Sequence, residues 1–246
     1  MFYNFWIIQY DSCNEDRSFD GDFDIGYIDK ILIKRHYLQE CGANEWFNIE
    51  MINVAFKNIQ FRSKNKVIAL KAEVMYEVEV WEIIFFTFKF LSCTFISNIF
   101  KRTNWTEALK IHPELSKSDL QNADMIILPI WKASHWLFAV IDNSKSQIVV
   151  ADSKRWFGNH FLELLGRTED GINTILNRNS NSWKYIDLSS QVPFQWDGIS
   201  CGPLAVINCE YYTKNLDFNY RINDIIATLR LNICLSVFLH LQMTKQ

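Results

Sequence analysis

The chain has 246 residues, 49% of them apolar and 15% aromatic, and 25 Lys and Arg against 28 Asp and Glu give a net charge of −3. This length holds one large domain or two small ones with a full core, and the scarcity of glycine (8) and proline (4) excludes collagen-like and linker-rich classes. The charge balance argues against a nucleic-acid binder that tracks phosphates, which needs a basic excess, but leaves room for a local basic patch.

Residues 1–30 read as a peripheral N-terminal arm. They lack a basic region and a small-residue cleavage pattern, so no signal peptide is expected. Asp20, Asp22 and Asp24 alternate, but Ile25 and Ile31 stand where a calcium loop needs glycine and an acid. From Ile31 the chain becomes domain-like. Asn44 is a candidate cap for a helix carrying Phe47, Met51 and Val54 on one face. Residues 60–82 suggest no element. Ile83 to Phe100 is 18 residues with one charge, Lys89, just at membrane-spanning length. A central lysine costs about 2.5–3.5 kcal/mol on insertion, and the alternating Phe86, Phe88 and Phe90 suit a strand, so the segment is read as buried core.

A helix start is expected at Thr106 with a break at Pro113, followed by interior strands over Met125–Ile130, Trp136–Ile141 and Gln147–Ala151. Gly166 and Gly171 flank a polar connection, and Trp183–Leu188 is a fourth strand. Cys201–Tyr212 reads as a helix with Pro203 in its first turn. Arg221–Leu241 reads as a long terminal helix with Ile222, Ile225, Ile226 and Leu229 on one face. Strands and helices in this order make an α+β domain. The six cysteines contain no CxxC pair, so neither a metal centre nor a disulfide framework is expected; reduced thiols fit an intracellular compartment, nucleus or cytoplasm.

Two local patterns carry chemistry. The strands around Asp142-Asn143-Ser144-Lys145 form a hairpin, and a two-residue loop at Asn143-Ser144 would set His135 opposite Asp152. Facing residues lie about 4.5–5.5 Å apart at Cβ, and a carboxylate beside an imidazole fixes its tautomer and raises its basicity. Separately, a polar loop precedes Cys201 and an apolar helix follows it. The thiol therefore sits at a helix N-terminus, which favours the thiolate, and Gly202 permits close approach of another segment. Taken singly, each residue has a plain structural explanation: a buried small hydrophobe, a strand-start histidine, a turn-forming aspartate. Together they are the parts of a cysteine-nucleophile triad.

These residues resemble the ubiquitin-like-protein (SUMO/sentrin-specific) cysteine proteases, relatives of the adenovirus protease. The resemblance rests on His135-Trp136 opening a strand, Asp152-Ser153 closing the next, Gln195 six residues before Cys201-Gly202, the run Met125–Ile130 with Pro129, the segment Trp46–Ile52, and Arg221-Ile-Asn-Asp-Ile-Ile. It spans about Ile31 to Leu241 and implies a catalytic domain over 31–246. The implied fold is adenain- or papain-like, a central mixed sheet flanked by helices with the nucleophile at a helix N-terminus.

The resemblance implies that Cys201 is the nucleophile, His135 the base and Asp152 its orienter, with Gln195 and the Cys201 N–H forming an oxyanion hole. Trp46 and Trp136 would pin a Gly-Gly tail. The implied activity is cleavage after the C-terminal Gly-Gly of SUMO or a related protein, NEDD8 or ubiquitin included, in processing or deconjugation. No cofactor, nucleic acid or membrane is implied. Three positions depart from the family pattern: Ile49 stands where an acid is usual, Ser200 replaces the usual Asp, and Asp197 stands where Asn is common. Residues 73–88 lack a counterpart. The departures keep two alternatives open, a same-fold protease of mobile-element type acting on another protein, and a non-catalytic ubiquitin-like-binding module.

Overall fold

The computed structural model describes residues 24–28, 31–42, 45–64, 66–70, 115–132, 134–167, 169–178 and 183–243. The acidic alternation at Asp20 and Asp22, the segment 83–100, the stretch 73–88 and the expected helix start at Thr106 lie outside these residues. Among the described residues no helix is long and apolar enough to cross a membrane.

The elements run β1 (Asp24–Ile28), β2 (Ile31–Lys34), α1 (Arg35–Gly42), α2 (Ile49–Arg62), β3 (Val67–Ala69), α3 (Lys117–Gln121), β4 (Met125–Lys132), β5 (His135–Asp142), β6 (Gln147–Ala151), α4 (Gly158–Arg167), α5 (Glu169–Leu176), β7 (Lys184–Asp187), α6 (Cys201–Thr213) and α7 (Ile222–Met243). β1 and β2 form an antiparallel pair; the other five strands form one mixed sheet in the order β3-β4-β5-β6-β7, parallel at both outer pairings and antiparallel within. Here is the α+β architecture expected, with strands β4 to β7 where the apolar runs placed them.

The central strands are apolar on both faces because both faces are covered. Trp136, Phe138 and Val140 of β5 join Val149 and Ala151 of β6 in one core, against α2 and α6. Leu137, Ala139 and Ile141 pack on the other face with Ile148, Val150 and residues of α4 and α5, including Phe161 and Ile172. The alternation is the period-two geometry of a strand.

Three expectations change. The helix expected from Asn44 starts at Ile49 instead: Asn48 caps it, its side chain accepting the Met51 N–H at 2.9 Å while its amide donates to Glu40 at 2.9 Å. Phe47 therefore precedes the helix. The polar connection around Gly166 and Gly171 is two helices, α4 and α5; Phe161, Leu165, Ile172 and Leu176 are buried at helical spacing that the glycines obscure.

The third change is the hairpin. Its turn takes four residues, Asn143–Ser146, so Asp142 faces Gln147 and Phe138 faces Ala151. The cause is Asp142, whose Oδ1 accepts both the Ser144 hydroxyl at 2.7 Å and the Lys145 N–H at 3.0 Å, building a longer turn that ends on Ser146 at φ 52°. The register thus moves by two residues, an even number that leaves every side chain on its expected face. His135 and Asp152 are no longer direct cross-strand partners; Asp152 lies just past the end of the ladder.

Candidate active site

The site lies at the end of the sheet where β5 begins, β6 ends and α6 starts. His135 and Asp152 still meet, diagonally, with Nε2 2.6 Å from Oδ1. Both side chains are buried. The segment after β6 wraps round the Asp152 carboxylate: the Lys154 N–H donates to Oδ1, and those of Trp156 and Phe157 to Oδ2, each at 2.8 Å. Arg155, inside this wrap, sits at φ 61°, left-handed backbone that costs a non-glycine residue about 1–2 kcal/mol. Behind the site, the Ser189 hydroxyl accepts the Asp152 N–H at 3.0 Å.

Burial works against charge on Asp152, but hydrogen bonds from His135 and from the backbone at Phe157 and Lys154 outweigh it and lower its pKa. For His135 burial again opposes the charged form. The Asp152 hydrogen bond, a hydrogen bond to Cys201 and the attraction of both partners prevail, and raise the imidazole from 6.5 to about 9. The ring thus holds the carboxylate on Nε2 and lies near the Cys201 thiol.

Cys201 is the first residue of α6, as expected, and Ser200 before it makes no side-chain cap. Gly202 serves a close approach: a Cβ there would lie 2.9 Å from Phe47 Cβ and 3.2 Å from Ile52 Cδ1. Absence of a side chain lets α6 press onto α2 and the strand-like segment before it. Cys209 and Cys234 are buried thiols of the core, and burial with the neighbouring Glu210 holds the Cys209 pKa well above its ordinary value.

Gln195 is buried and bonds Ser153, the residue after Asp152. Its Oε1 accepts the Ser153 hydroxyl at 3.0 Å, and its backbone N–H donates to the Ser153 carbonyl at 2.9 Å. The Nε2 amide donates to the Asp197 carbonyl at 3.0 Å and to its Oδ1 at 3.2 Å. Asp197 also accepts the Ile199 and Ser200 N–H groups at 2.8 and 2.7 Å, folding the loop that leads into Cys201. Burial opposes ionisation of Asp197, and these bonds lower its pKa nonetheless.

Trp46 and Trp136 both line a cleft of about 550 Å³ that runs to Ile199, two residues before Cys201. They do not face each other directly. Trp136 is only 2% exposed and donates its indole N–H to the Phe47 carbonyl at 2.9 Å. Trp131 stands between them, its ring 4.8 Å from Trp136 and 5.9 Å from Trp46, which is 40% exposed.

Reading the sequence passed over Trp131. Its signal was present: it is the register partner of Trp136 across the β4–β5 turn. Arg230, buried in α7, was also passed over. Its guanidinium donates to the carbonyls of Glu45 at 2.7 Å and Ile199 at 3.2 Å and lies over Phe47, tying the Trp46 segment to the nucleophile loop. Only three-dimensional proximity could have found it. Ile49 lines the same cleft. Among the described residues no cluster of His, Cys, Asp and Glu could hold a metal ion.

Residues 45–231 match the Ulp1 protease family, C-terminal catalytic domain. The ubiquitin-like-specific protease ESD4 of Arabidopsis thaliana is 24% identical over 202 residues, 76% of this chain, and the chain spans only 36% of that relative's length. Among solved structures, the C-terminal Ulp1 protease domain in complex with Smt3, the yeast ortholog of SUMO, superposes with a TM-score of 0.65 at 18% identity, covering 92% of each chain. A Chaetomium thermophilum Ulp1-like SUMO protease catalytic domain gives 0.59 at 14% identity, over 92% of this chain and 87% of the other. At these identities the structures speak for the fold, and the match over most of the sequence settles descent: the chain belongs to the Ulp1 protease family of cysteine peptidases.

Proposed function

We propose that the chain is a ubiquitin-like-protein protease that cleaves after a C-terminal Gly-Gly, using Cys201 as nucleophile, His135 as acid and base, and Asp152 as orienter. The observation that carries this reading is the buried His135–Asp152 pair at 2.6 Å with Cys201 at the start of α6, close enough to raise the imidazole pKa. His135, its pKa raised to about 9, carries the proton that the leaving group needs, and the sulfur is the nucleophile. Sulfur attacks the scissile carbonyl, the carbonyl oxygen becomes an oxyanion, and the leaving amine departs with the His135 proton. Water then attacks the thioester as His135 takes its proton, and the carboxylate product leaves as Cys201 is restored.

Gln195 with the Cys201 N–H would stabilise the oxyanion. The donation would take one of the two Nε2 hydrogens that bond Asp197 here, and donors aimed at the developing charge are what such a site requires. Trp46, Trp131 and Trp136 would flank the tail. Close aromatic walls admit glycine and exclude residues with a Cβ, a steric filter for Gly-Gly ends.

The substrate proposed first is SUMO, with NEDD8 and ubiquitin next. The Ulp1 domain solved with Smt3 supports that order. The catalytic domain is proposed to span 31–246, with the arm of residues 1–30 lending β1 to its edge. An intracellular reducing compartment, nucleus or cytoplasm, is proposed as well.

Ile49 favours a second reading, a same-fold protease acting on another protein, because the resemblance puts an acid at that position of the cleft, which Glu40 and Glu45 also line. Turnover of SUMO, NEDD8 and ubiquitin fusions whose tails end in Gly-Gly or Ala-Ala separates the readings. Strict dependence on Gly-Gly is expected. Peptide cleavage indifferent to the tail supports the second reading, and tight binding without turnover the non-catalytic module.

A further inference from the structure

Outside the cleft, the largest unexplained feature is a belt of aromatic and cationic side chains on the other flank of the catalytic pair. Trp156 is 62% exposed, and its ring lies 5.5 Å from that of His135. The Lys154 ammonium lies 5.3 Å over the Trp156 ring. Next in sequence, the Arg155 guanidinium lies 5.3 Å over Phe194, and Phe194 packs edge-on at 4.6 Å against Trp196. Trp196 follows Gln195 and is 87% exposed. Beyond it opens a groove of about 460 Å³ between Phe194, Trp196, Arg221 and Asp224. Two ring-and-cation groups, joined in sequence at residues 154–156, thus flank the imidazole on one side and Gln195 on the other.

Among the described residues nothing covers these rings. A large indole left in water costs hydrophobic free energy, and tryptophan and arginine together are enriched where proteins meet partners. The charge is one-sided in a chain that is acidic overall. Lys154 and Arg155 lie over Trp156 and Phe194, Arg221 lines the groove with one anion, Asp224, and the Asp197 carboxylate is engaged by Gln195, Ile199 and Ser200.

We propose that this belt binds the polypeptide on the amine side of the scissile bond and favours an acidic segment there. The proposal rests on the protease reading. The cleft hangs on Trp136, the belt on His135, and consecutive residues of a strand point to opposite faces. No residue lining the cleft belongs to the belt. The leaving amine must take its proton from the His135 ring, which Trp156 covers, so the residues carrying that amine leave across Trp156 towards the cations.

The test compares kcat/KM for fusions of one ubiquitin-like protein to short acidic, neutral or basic segments after Gly-Gly, beside the same protein carrying a small aminocoumarin leaving group. The acidic fusion is expected to exceed the basic one by about five- to tenfold at low salt, the scale of a few exposed charge contacts. Added salt should shrink the ratio. Lys154→Glu with Arg221→Glu should invert it, and Trp196→Ala should lower turnover of the fusions more than of the aminocoumarin substrate. The ratio is read because a misfolded variant lowers both rates together. A ratio near one, or one that charge reversal leaves unchanged, overturns the proposal while the protease reading stands. No release of aminocoumarin from any ubiquitin-like protein overturns both.

Discussion

The two halves of the site are held in different ways. Around Asp152 every acceptor lobe is used: the imidazole, three backbone N–H groups and the Ser189 hydroxyl behind the backbone fix it from several directions. The cleft is held by ring contacts, one indole hydrogen bond and the Arg230 tie. Polar geometry of the first kind tolerates few substitutions, because each lost partner leaves a buried group unsatisfied. Apolar walls tolerate many.

That contrast can be broken by mutation. In the polar half, Cys201→Ala should remove about 10⁶ of the turnover rate, as loss of a nucleophile does in comparable triads, measured on a Gly-Gly fusion substrate. Asp152→Asn should cost about 10⁴ in kcat by freeing the wrong tautomer. It should also move the alkaline limb of the pH profile downward, since the carboxylate helps hold His135 at about 9. Gln195→Ala should lower kcat by about 10²–10³ with little change in KM. In the apolar half, Trp131→Ala should act mainly through KM, and an equal loss in kcat would erase the distinction between the halves.

The smallest effects concern stability. Gly202→Ala pushes a methyl to within 2.9 Å of Phe47 Cβ. Such overpacking costs about 1–3 kcal/mol, and the melting temperature should fall by several degrees. For the histidine, the folded pKa is raised from 6.5 to about 9. Its stabilisation is complete below the unfolded value and disappears as pH rises through about 9. Asp152, lowered on folding, contributes above its unfolded value and loses that contribution as pH falls. Chemical denaturation across pH should therefore show a His135-dependent loss on the alkaline side, absent in His135→Ala.

Much of this was legible in the residues because local signals sufficed. Apolar runs placed β4, β5, β6 and β7, and the polar-to-apolar change at Ser200-Cys201 placed the start of α6. The meeting of His135 and Asp152 survived a wrong turn length because the error was two residues, which preserves the face. What escaped was non-local. Asn48 displaces Asn44 as cap because it also bonds Glu40. Trp131 joins the cleft through the β4–β5 register, and Arg230 reaches it from a helix 185 residues beyond Glu45.

The central claim is that Cys201 is the reactive thiol: Cys201, Cys209 and Cys234 are all buried, and what sets Cys201 apart is its place at the start of α6 beside His135. Intact-mass and peptide mapping after incubation with a SUMO carrying an electrophile at its C-terminal glycine tests this directly. The account predicts one adduct, on Cys201, formed rapidly and lost in His135→Ala. Modification at Cys209 or Cys234, or adducts on Cys201 that form as fast without the imidazole, would contradict it.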